Sequence, residues 1–514
     1  MKRFGKAKLG GLAILFACTA SIVAHAQKSK DTLRVPLSEP IQAVSTYYKS
    51  HPGVYLFNGV YEGFVEFNPR TGKIEPSLAK AYRRPEPGIL EFDLRDDVTF
   101  HSGKKFDADD VVSMISWLKD PNTKLRHLED TDFIVRAEKL GAYKVRLHMV
   151  KPVATDLSSL AYSVKFYDSA IHSKLADRSE YDRNIMVGTG PYRIAQRDVN
   201  KGTIAAKYPG YVGAARKTPR IGAIHGLTIP DDQTKIANLL TGAVDVVGDL
   251  SADQLDNLKK DSRFTLTASP GMQMYYLQMD ALGKSGRKEL TDPRVRRAIF
   301  MAIDREGIIK ALMPGAEMAQ APEVFCHTGR QIGCTPHTQS YPKYDPEGAK
   351  KLLAGAGYPN GFDLIVDSSP PEVKQIGEAI AGALYKVGIR TRHQPLVNSA
   401  YRDWQRDGKL EAHVVPWTMS PDVARTLNRF FTLGGPTDAF GDKLLADLRL
   451  QGIEELDPVK RDAIYTKLYD RVIEQSYILP ISSVPNVFVH SKEVSLNSGA
   501  INGWGADLWD FSWN

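Results

Sequence analysis

The sequence predicts a mixed α/β protein built from several domains. Three observations carry this. Helical and alternating apolar patterns take turns along the whole chain, and Asp-Pro pairs open one helix after another. The chain also has 514 residues with 42% hydrophobic and 25% charged side chains, the composition of folded globular protein. At about 100–200 residues per domain, the length predicts two to four domains, each able to bury its own core. No internal repeat, heptad run or low-complexity tract interrupts the pattern.

The elements are legible from capping chemistry. Asp107 caps a helix in which Val111, Met114, Ile115 and Leu118 recur at helical spacing. The carboxylates of Asp107, Asp109 and Asp110 suit the positive end of that helix better than a catalytic acid/base pair. Gly188-Thr189-Gly190 runs into Pro191-Tyr192-Arg193-Ile194, a tight turn entering a strand. Residues 236–247 read helix, Gly242, strand. Asp292-Pro293 places a cap before a proline at the first helical position, with Val295, Ile299, Ala302 and Ile303 on one face. Asp345-Pro346 opens a helix ending near Gly355 or Gly357, after which Pro359-Asn360-Gly361 turns into a strand over 362–366. Asp457-Pro458 opens a helix to about Glu474, followed by two strand-like stretches at 478–481 and 487–489.

The formal charge of +7 would suggest a nucleic-acid partner, but the N-terminus accounts for most of it. Lys2, Arg3, Lys6 and Lys8 precede a short apolar run and Ala24-His25-Ala26, the pattern of a cleaved secretory signal over residues 1–26. Without those four basic residues the charge falls from +7 to +3. The apolar run is shorter than the roughly 20 residues of a membrane-spanning helix. Export to an oxidising compartment favours a disulfide between Cys326 and Cys334, which frame a polar loop with two glycines. The sharper alternative, a zinc site with His327 and His337, lacks the paired Cys-x-x-Cys element.

Catalytic and cofactor motifs fail. Gly283-Lys284-Ser285 lacks the first glycine of a phosphate loop, since Gln278 stands there. Gly188-Thr189-Gly190 leads into a strand rather than a helix, so it does not bind a dinucleotide. There is no Gly-x-Ser-x-Gly or His-Glu-x-x-His. Ser102-Gly103-Lys104-Lys105 matches Ser-x-x-Lys without the motifs that accompany it in serine acylases. The sequence therefore predicts no cofactor, no metal and no enzymatic activity.

Leu94, Arg95, Val98, Phe100, His101, Gly103, Ala108, Asp109, Asp110 and Val111 together form a pattern that resembles the family 5 extracellular solute-binding proteins of ABC importers, the dipeptide, oligopeptide and nickel binders. Ser102 stands where that family usually has aspartate. Gly188-Thr189-Gly190-Pro191-Tyr192, Gly242-Ala243-Val244-Asp245, Asp292 to Ile299 and Tyr344 to Leu353 follow in the family's order, so the resemblance spans roughly residues 31–494. It implies a two-lobed periplasmic-binding-protein fold with a hinge and an extra domain, ligand being enclosed between the lobes. Mapped by motif order, lobe 1 is 27–70, 187–280 and 481–514, the extra domain packed on it is 71–186, and lobe 2 is 281–480. The implied partners are a small-molecule or peptide ligand and an inner-membrane ABC permease; the implied protein is a periplasmic monomer.

The resemblance also bears on the ligand. Peptide binders of the family resemble one another in a Trp-x-x-Asp stretch of lobe 2, whose aspartate takes the peptide's ammonium group. The corresponding segment here is Trp417-Thr418-Met419-Ser420-Pro421-Asp422. Trp417 fits, Ser420 stands in the aspartate's place, and Asp422 follows two residues later. Either Asp422 substitutes, or the ligand has no free amino group there, as with an opine, a sugar-containing compound or a modified peptide; a nickel chelate is a further non-peptide alternative to the leading di- or oligopeptide. A secreted hydrolase is the reading from a different class. Tyr275 and Tyr276 lie near the expected hinge crossing, and one of the two should face inward, as a candidate wall residue of the ligand site, because neighbours on a strand point to opposite faces. His101, beside Phe100, reads as a hydrogen-bonded structural histidine.

Overall fold

The computed structural model describes residues 31–514 apart from 42, 44–46, 48–57, 69–70, 124–130, 199–200, 214–215, 217, 249 and 498–505. The expected signal segment, 1–26, lies outside the described residues. In chain order the strands begin with β1 (Thr32–Leu37), β2 (Val65–Asn68), β3 (Lys73–Pro76), β4 (Ala79–Arg83), β5 (Ile89–Leu94), β6 (Ile134–Gly141) and β7 (Lys144–Met149). They continue with β8 (Tyr192–Asp198), β9 (Gly202–Lys207), β10 (Ala223–Thr228), β11 (Val246–Gly248) and β12 (Phe264–Met279). The last six are β13 (Asp363–Ser368), β14 (Arg390–Pro395), β15 (Ala412–Thr418), β16 (Ile478–Ser491), β17 (Val494–Leu496) and β18 (Phe511–Trp513).

One body carries two four-stranded sheets, ordered β1-β10-β9-β8 and β4-β5-β7-β6. A single apolar cluster runs through both, from Leu33 by way of Phe64, Phe92 and Ile115 to Tyr192 and Ile224. The other body is built on a six-stranded sheet ordered β11-β16-β12-β15-β13-β14. Helices cover both faces there, with Ile299, Leu353 and Ile380 burying one face and Leu427, Leu445 and Tyr469 the other. Strand-plus-helix layers of this kind are what alternating patterns with Asp caps encode. Asp107, Asp292, Asp345 and Asp457 each accept a backbone N–H at a helix start, with proline at the first position in the last three. Lys104 pairs with the buried Asp110 in the first of these turns, and Lys139 with Asp109, which gives those carboxylates structural work.

Two strands join the bodies. β12 and β16 pair antiparallel from Phe264 opposite Ser491 to Gln278 opposite Ile478, with irregularities between Ser269 and Gln273 and between Tyr275 and Tyr276. At one end β11 pairs with β16; at the other β15 pairs with β12 over Gln273 to Met279. The first irregularity contains Pro270-Gly271, and a Cβ at Gly271 would stand 2.2 Å from the Val484 carbonyl oxygen. Only glycine allows the strands so close at the point where they leave one body for the other. The expected separate strands at 478–481 and 487–489 are one strand of 14 residues. The serines between them look like a break, but Ser483 takes the backbone of Gln320, exchanging a 2.8 Å and a 3.0 Å bond. Pro480 fits because β16 is an edge strand at that end. The helix from Asp292 ends at Met301, so Ala302 and Ile303 are buried just past it.

Two motifs that carry the resemblance are explained by packing. A Cβ at Gly188 or Gly190 would lie 1.9 Å from the carbonyl oxygen of Val60 or Gly59. The same turn clasps His101, whose Nε2 lies 2.9 Å from the Gly190 carbonyl oxygen and whose Nδ1 accepts from Gly188 N–H at 3.2 Å. Burial pushes that imidazole down to about 4, so it is neutral. Ser102 donates to Asp168 at 2.6 Å, a place where a second carboxylate would repel. In Gly242-Ala243-Val244-Asp245 the aspartate is the functional letter. Asp245 accepts from Arg34 N at 2.7 Å, Nε at 3.0 Å and Nη2 at 2.6 Å, tying β1 to the approach of β11.

Both members of that pair are buried, at 8% and 1% exposure, so removing one strands the other charge. Arg34→Met is expected to cost about 3–5 kcal/mol, read as a lower urea midpoint at unchanged slope.

Candidate functional site

Strand β15 ends at Thr418, and the chain turns through Met419-Ser420-Pro421 into the helix Val423–Phe430. Asp422 starts that helix, its carboxylate accepting Ala424 N–H at 2.9 Å. The turn is held on three sides. Met419 N–H donates to the Met272 carbonyl on β12 at 2.8 Å; Ile332 N–H donates to Pro421 and Val423 N–H to Ile332, at 2.9 and 3.0 Å. Gln331 Nε2 donates to the Ser420 carbonyl at 2.7 Å.

Across from the turn stands the helix Asp156–Ser163 of the first body. Ser158 Oγ donates to Asp422 Oδ2 at 3.3 Å, and the Arg425 guanidinium lies 4.6 Å from the centre of the Tyr162 ring. The bodies also touch where Ala154 N–H donates to Ile453 at 3.1 Å, Arg461 to the Ala154 carbonyl at 3.3 Å, and Lys151 pairs with Glu454. Between them is a cavity of about 160 Å³ lined by Ser158, Ser159, Tyr162, Asp422, Arg425 and Asn428 among others. Ligand pockets usually measure about 300–1,000 Å³, so this volume has room for one group of a ligand rather than a whole one. Burial raises the Asp422 carboxyl, against the pull of Ala424 N–H, Arg461 and Ser158. A desolvated carboxylate at the wall of a cavity gains most from a cation brought to it.

Of the sequence-predicted residues, the structure brings Ser420, Asp422 and Trp417 to this turn. Ser420 is 6% exposed and spends its hydroxyl on the Asp422 carbonyl at 2.6 Å, so it shapes the turn. Trp417 donates its Nε1–H to Thr426 at 3.0 Å and sets its ring edge-on to Phe430 at 5.1 Å. Tyr275 and Tyr276 do point to opposite faces, but helices cover both. Tyr276 is 2% exposed among Phe325 and Phe430, so it is core, and half-buried Tyr275 packs on the other cluster; of the two candidates for a cleft wall the structure removes Tyr276. Cys326 and Cys334 form a disulfide with sulfurs 2.03 Å apart, which leaves no thiolate for a metal. Among the described residues no group of three or more His, Cys, Asp or Glu side chains is placed to hold a metal, and no helix is long and apolar enough to cross a membrane. The sequence reading missed Ser158, Tyr162, Arg425 and Asn428. Arg425 carried a faint signal, three residues beyond Asp422 at helical spacing; Ser158 carried none, because it arrives from the other body.

Comparisons with known proteins agree with this fold. The profile of the bacterial extracellular solute-binding proteins, family 5 Middle, matches residues 73–438. Heme-binding protein A of Haemophilus influenzae is 27% identical over 393 residues, 70% of this chain and 69% of its own length. Glutathione-binding protein GsiB of Escherichia coli strain K12 is 24% identical over 512 residues, 94% of this chain and 95% of its own. Among solved structures, the periplasmic binding protein DppA of Helicobacter pylori in complex with the peptide STSA superposes with a TM-score of 0.75 at 21% identity, covering 95% of this chain and 100% of that one.

Tyr276 adjoins a buried polar row. Gln278 on β12, His413 on β15 and Asp367 on β13 stand in register across the sheet, each at most 3% exposed. The Tyr401 ring lies edge-on to His413 at 5.5 Å. Burial, helped by Glu411 and opposed by Arg392, pushes Asp367 up to about 7, and burial pushes His413 down to about 3. Between pH 4 and 7 the folded protein therefore holds a proton on Asp367 that the unfolded chain lacks, so this group lowers stability as pH rises. Between pH 3 and 6.5 the unfolded chain holds a proton on His413 that the folded protein lacks, so this group lowers stability as pH falls. The two slopes offset. Asp367→Asn is expected to make stability rise more steeply with pH than in the wild type from pH 4 to 7, and His413→Gln less steeply. Urea unfolding at several pH values checks the opposed signs.

Proposed function

This chain belongs to the family 5 bacterial extracellular solute-binding proteins, and we propose that it is a non-enzymatic, monomeric periplasmic receptor that hands a short peptide-like solute to an ABC permease. The observation that carries the ligand class is the Asp422 carboxylate, buried at the cavity wall between the two bodies, where an ammonium group can pair with it. The end-to-end match to a glutathione-binding relative supports a peptide of a few residues. Asp422 then does two residues later what the aspartate of other peptide binders does at the position of Ser420. The working units are lobe 1 with its extra domain and lobe 2, 281–480, hinged where β12 and β16 pass between them. Ligand touching both lobes favours the closed arrangement by its differential affinity for it. Ser158 already donates to Asp422 from one body to the other, a contact that a ligand bound across both would reinforce.

Thermal shift of the exported chain tests this with reduced glutathione, tri- and tetrapeptides, their N-acetylated forms, opines and hemin. At 100 times its dissociation constant a ligand adds about 2.7 kcal/mol, a rise of several degrees in a chain of this size. Stabilisation by free-amino peptides, with ligand recovered unchanged, is the expected result. Stabilisation by opines or hemin alone, or conversion of ligand to product, overturns it.

Asp422→Asn separates the roles of this residue, because asparagine also caps helices. The variant is expected to melt close to the wild type yet bind free-amino peptides at least about tenfold more weakly, as loss of a charged hydrogen bond requires. Titration calorimetry with free and N-acetylated peptide checks it; equal losses for both would remove Asp422 from the ammonium role.

A further inference from the structure

The loop closed by Cys326 and Cys334 meets three separate parts of the molecule. Arg330 Nη1 donates to the Pro270 carbonyl at 2.6 Å, inside the irregular stretch where β12 passes between bodies. Gln331, 6% exposed, uses both ends of its amide: Oε1 accepts His327 N–H at 2.8 Å, and Nε2 donates to the Ser420 carbonyl at 2.7 Å. Ile332 pairs with the turn as a one-residue parallel bridge opposite Asp422. At the tip, the Gly329 carbonyl faces the β2–β3 turn of the first body, 3.5 Å from where a Cβ on Gly72 would stand. These contacts are to backbone, so they fix where the turn lies whatever its side chains are. A loop closed by a disulfide eight residues apart has few open conformations, so little ordering entropy opposes them.

We propose that the disulfide loop 326–334 ties the binding turn 417–423 to the hinge strand β12, with Gln331 as the positioning residue that holds the Ser420 carbonyl so that Asp422 faces the cavity. The inference rests on the reading of that turn as ligand-binding, but its test does not need a ligand. Glutamate at 331 keeps the acceptor for His327 N–H and lacks the donor for Ser420, so Gln331→Glu breaks one bond of the two.

Amide hydrogen exchange of the exported chain without ligand is the measurement, on Gln331→Ala and Gln331→Glu. Exchange at Met419 and Val423, whose N–H groups bond Met272 and Ile332, is expected to rise about tenfold in both variants. The amides of Arg330 and Gln331, bonded to the His327 carbonyl, are expected to stay protected in Gln331→Glu. Unchanged exchange at 419 and 423, or a rise spread evenly over lobe 2, overturns the proposal. If Gln331→Ala fails to fold, Gln331→Glu decides alone. With glutathione as probe, Gln331→Glu is expected to bind more weakly through faster release. If the wild type binds no probe while the exchange pattern appears, the peptide reading fails and the positioning role stands.

Discussion

Strands β12 and β16 pair with each other across both bodies, and the rest of the architecture hangs from the register of that ladder. Each strand ends in a different hydrophobic cluster, Leu266 and Val489 on one side, Leu277 and Leu479 on the other. Neither strand can shift by one residue without turning those side chains to the wrong face. The ladder is interrupted only at Ser269 to Gln273 and at Tyr275/Tyr276. Stiff where it is packed and irregular where it crosses, it gives the two bodies a fixed common axis and a short segment in which dihedral change is cheap.

The site follows from that axis. Met419 bonds Met272, the residue after Gly271 at the crossing point, so the turn bearing Asp422 is anchored to the crossing strand rather than to the rim of its own body. The opposing helix 156–163 is anchored as firmly. It belongs to a body whose junction holds the buried charges of Glu66, Lys165 and Arg216, with Lys165 and Arg216 donating to Glu66 at 3.0 and 3.1 Å. Burial lowers Lys165 while the two cations together hold Glu66 low, an arrangement that loses its balance if any one group leaves. Two packed walls that meet at an irregular crossing are an arrangement in which a solute can be enclosed between two bodies.

Much of the fold was readable because its signals are local. Asp107, Asp292, Asp345 and Asp457 start helices where the sequence put them, since capping depends on the next three residues alone. The continuity of β16 through Ser482 and Ser483 was not readable, because what holds it there is Gln320, 163 residues away. Which of Tyr275 and Tyr276 could line a cleft was not readable for a similar reason. Strand alternation was correct, but covering the two faces of the sheet required helices at 293–301, 346–355 and 374–386 on one side and 423–430, 443–454 and 458–474 on the other, whose positions alternation does not encode.

The sequence by itself determined the family, the α/β class, the helix starts and the residues that make up the turn 417–422, since each rests on neighbours within a few positions or on an ordered set of motifs. Only the tertiary structure decided which of those residues face the cavity. Ser420 lines the cavity but spends its hydroxyl on the Asp422 carbonyl, Asp422 met Ser158 from the other body, and Gln331 reached the turn from a disulfide loop 89 residues away. Burial and hydrogen-bond partnership are properties of surfaces brought together from distant parts of the chain, and no local pattern carries them.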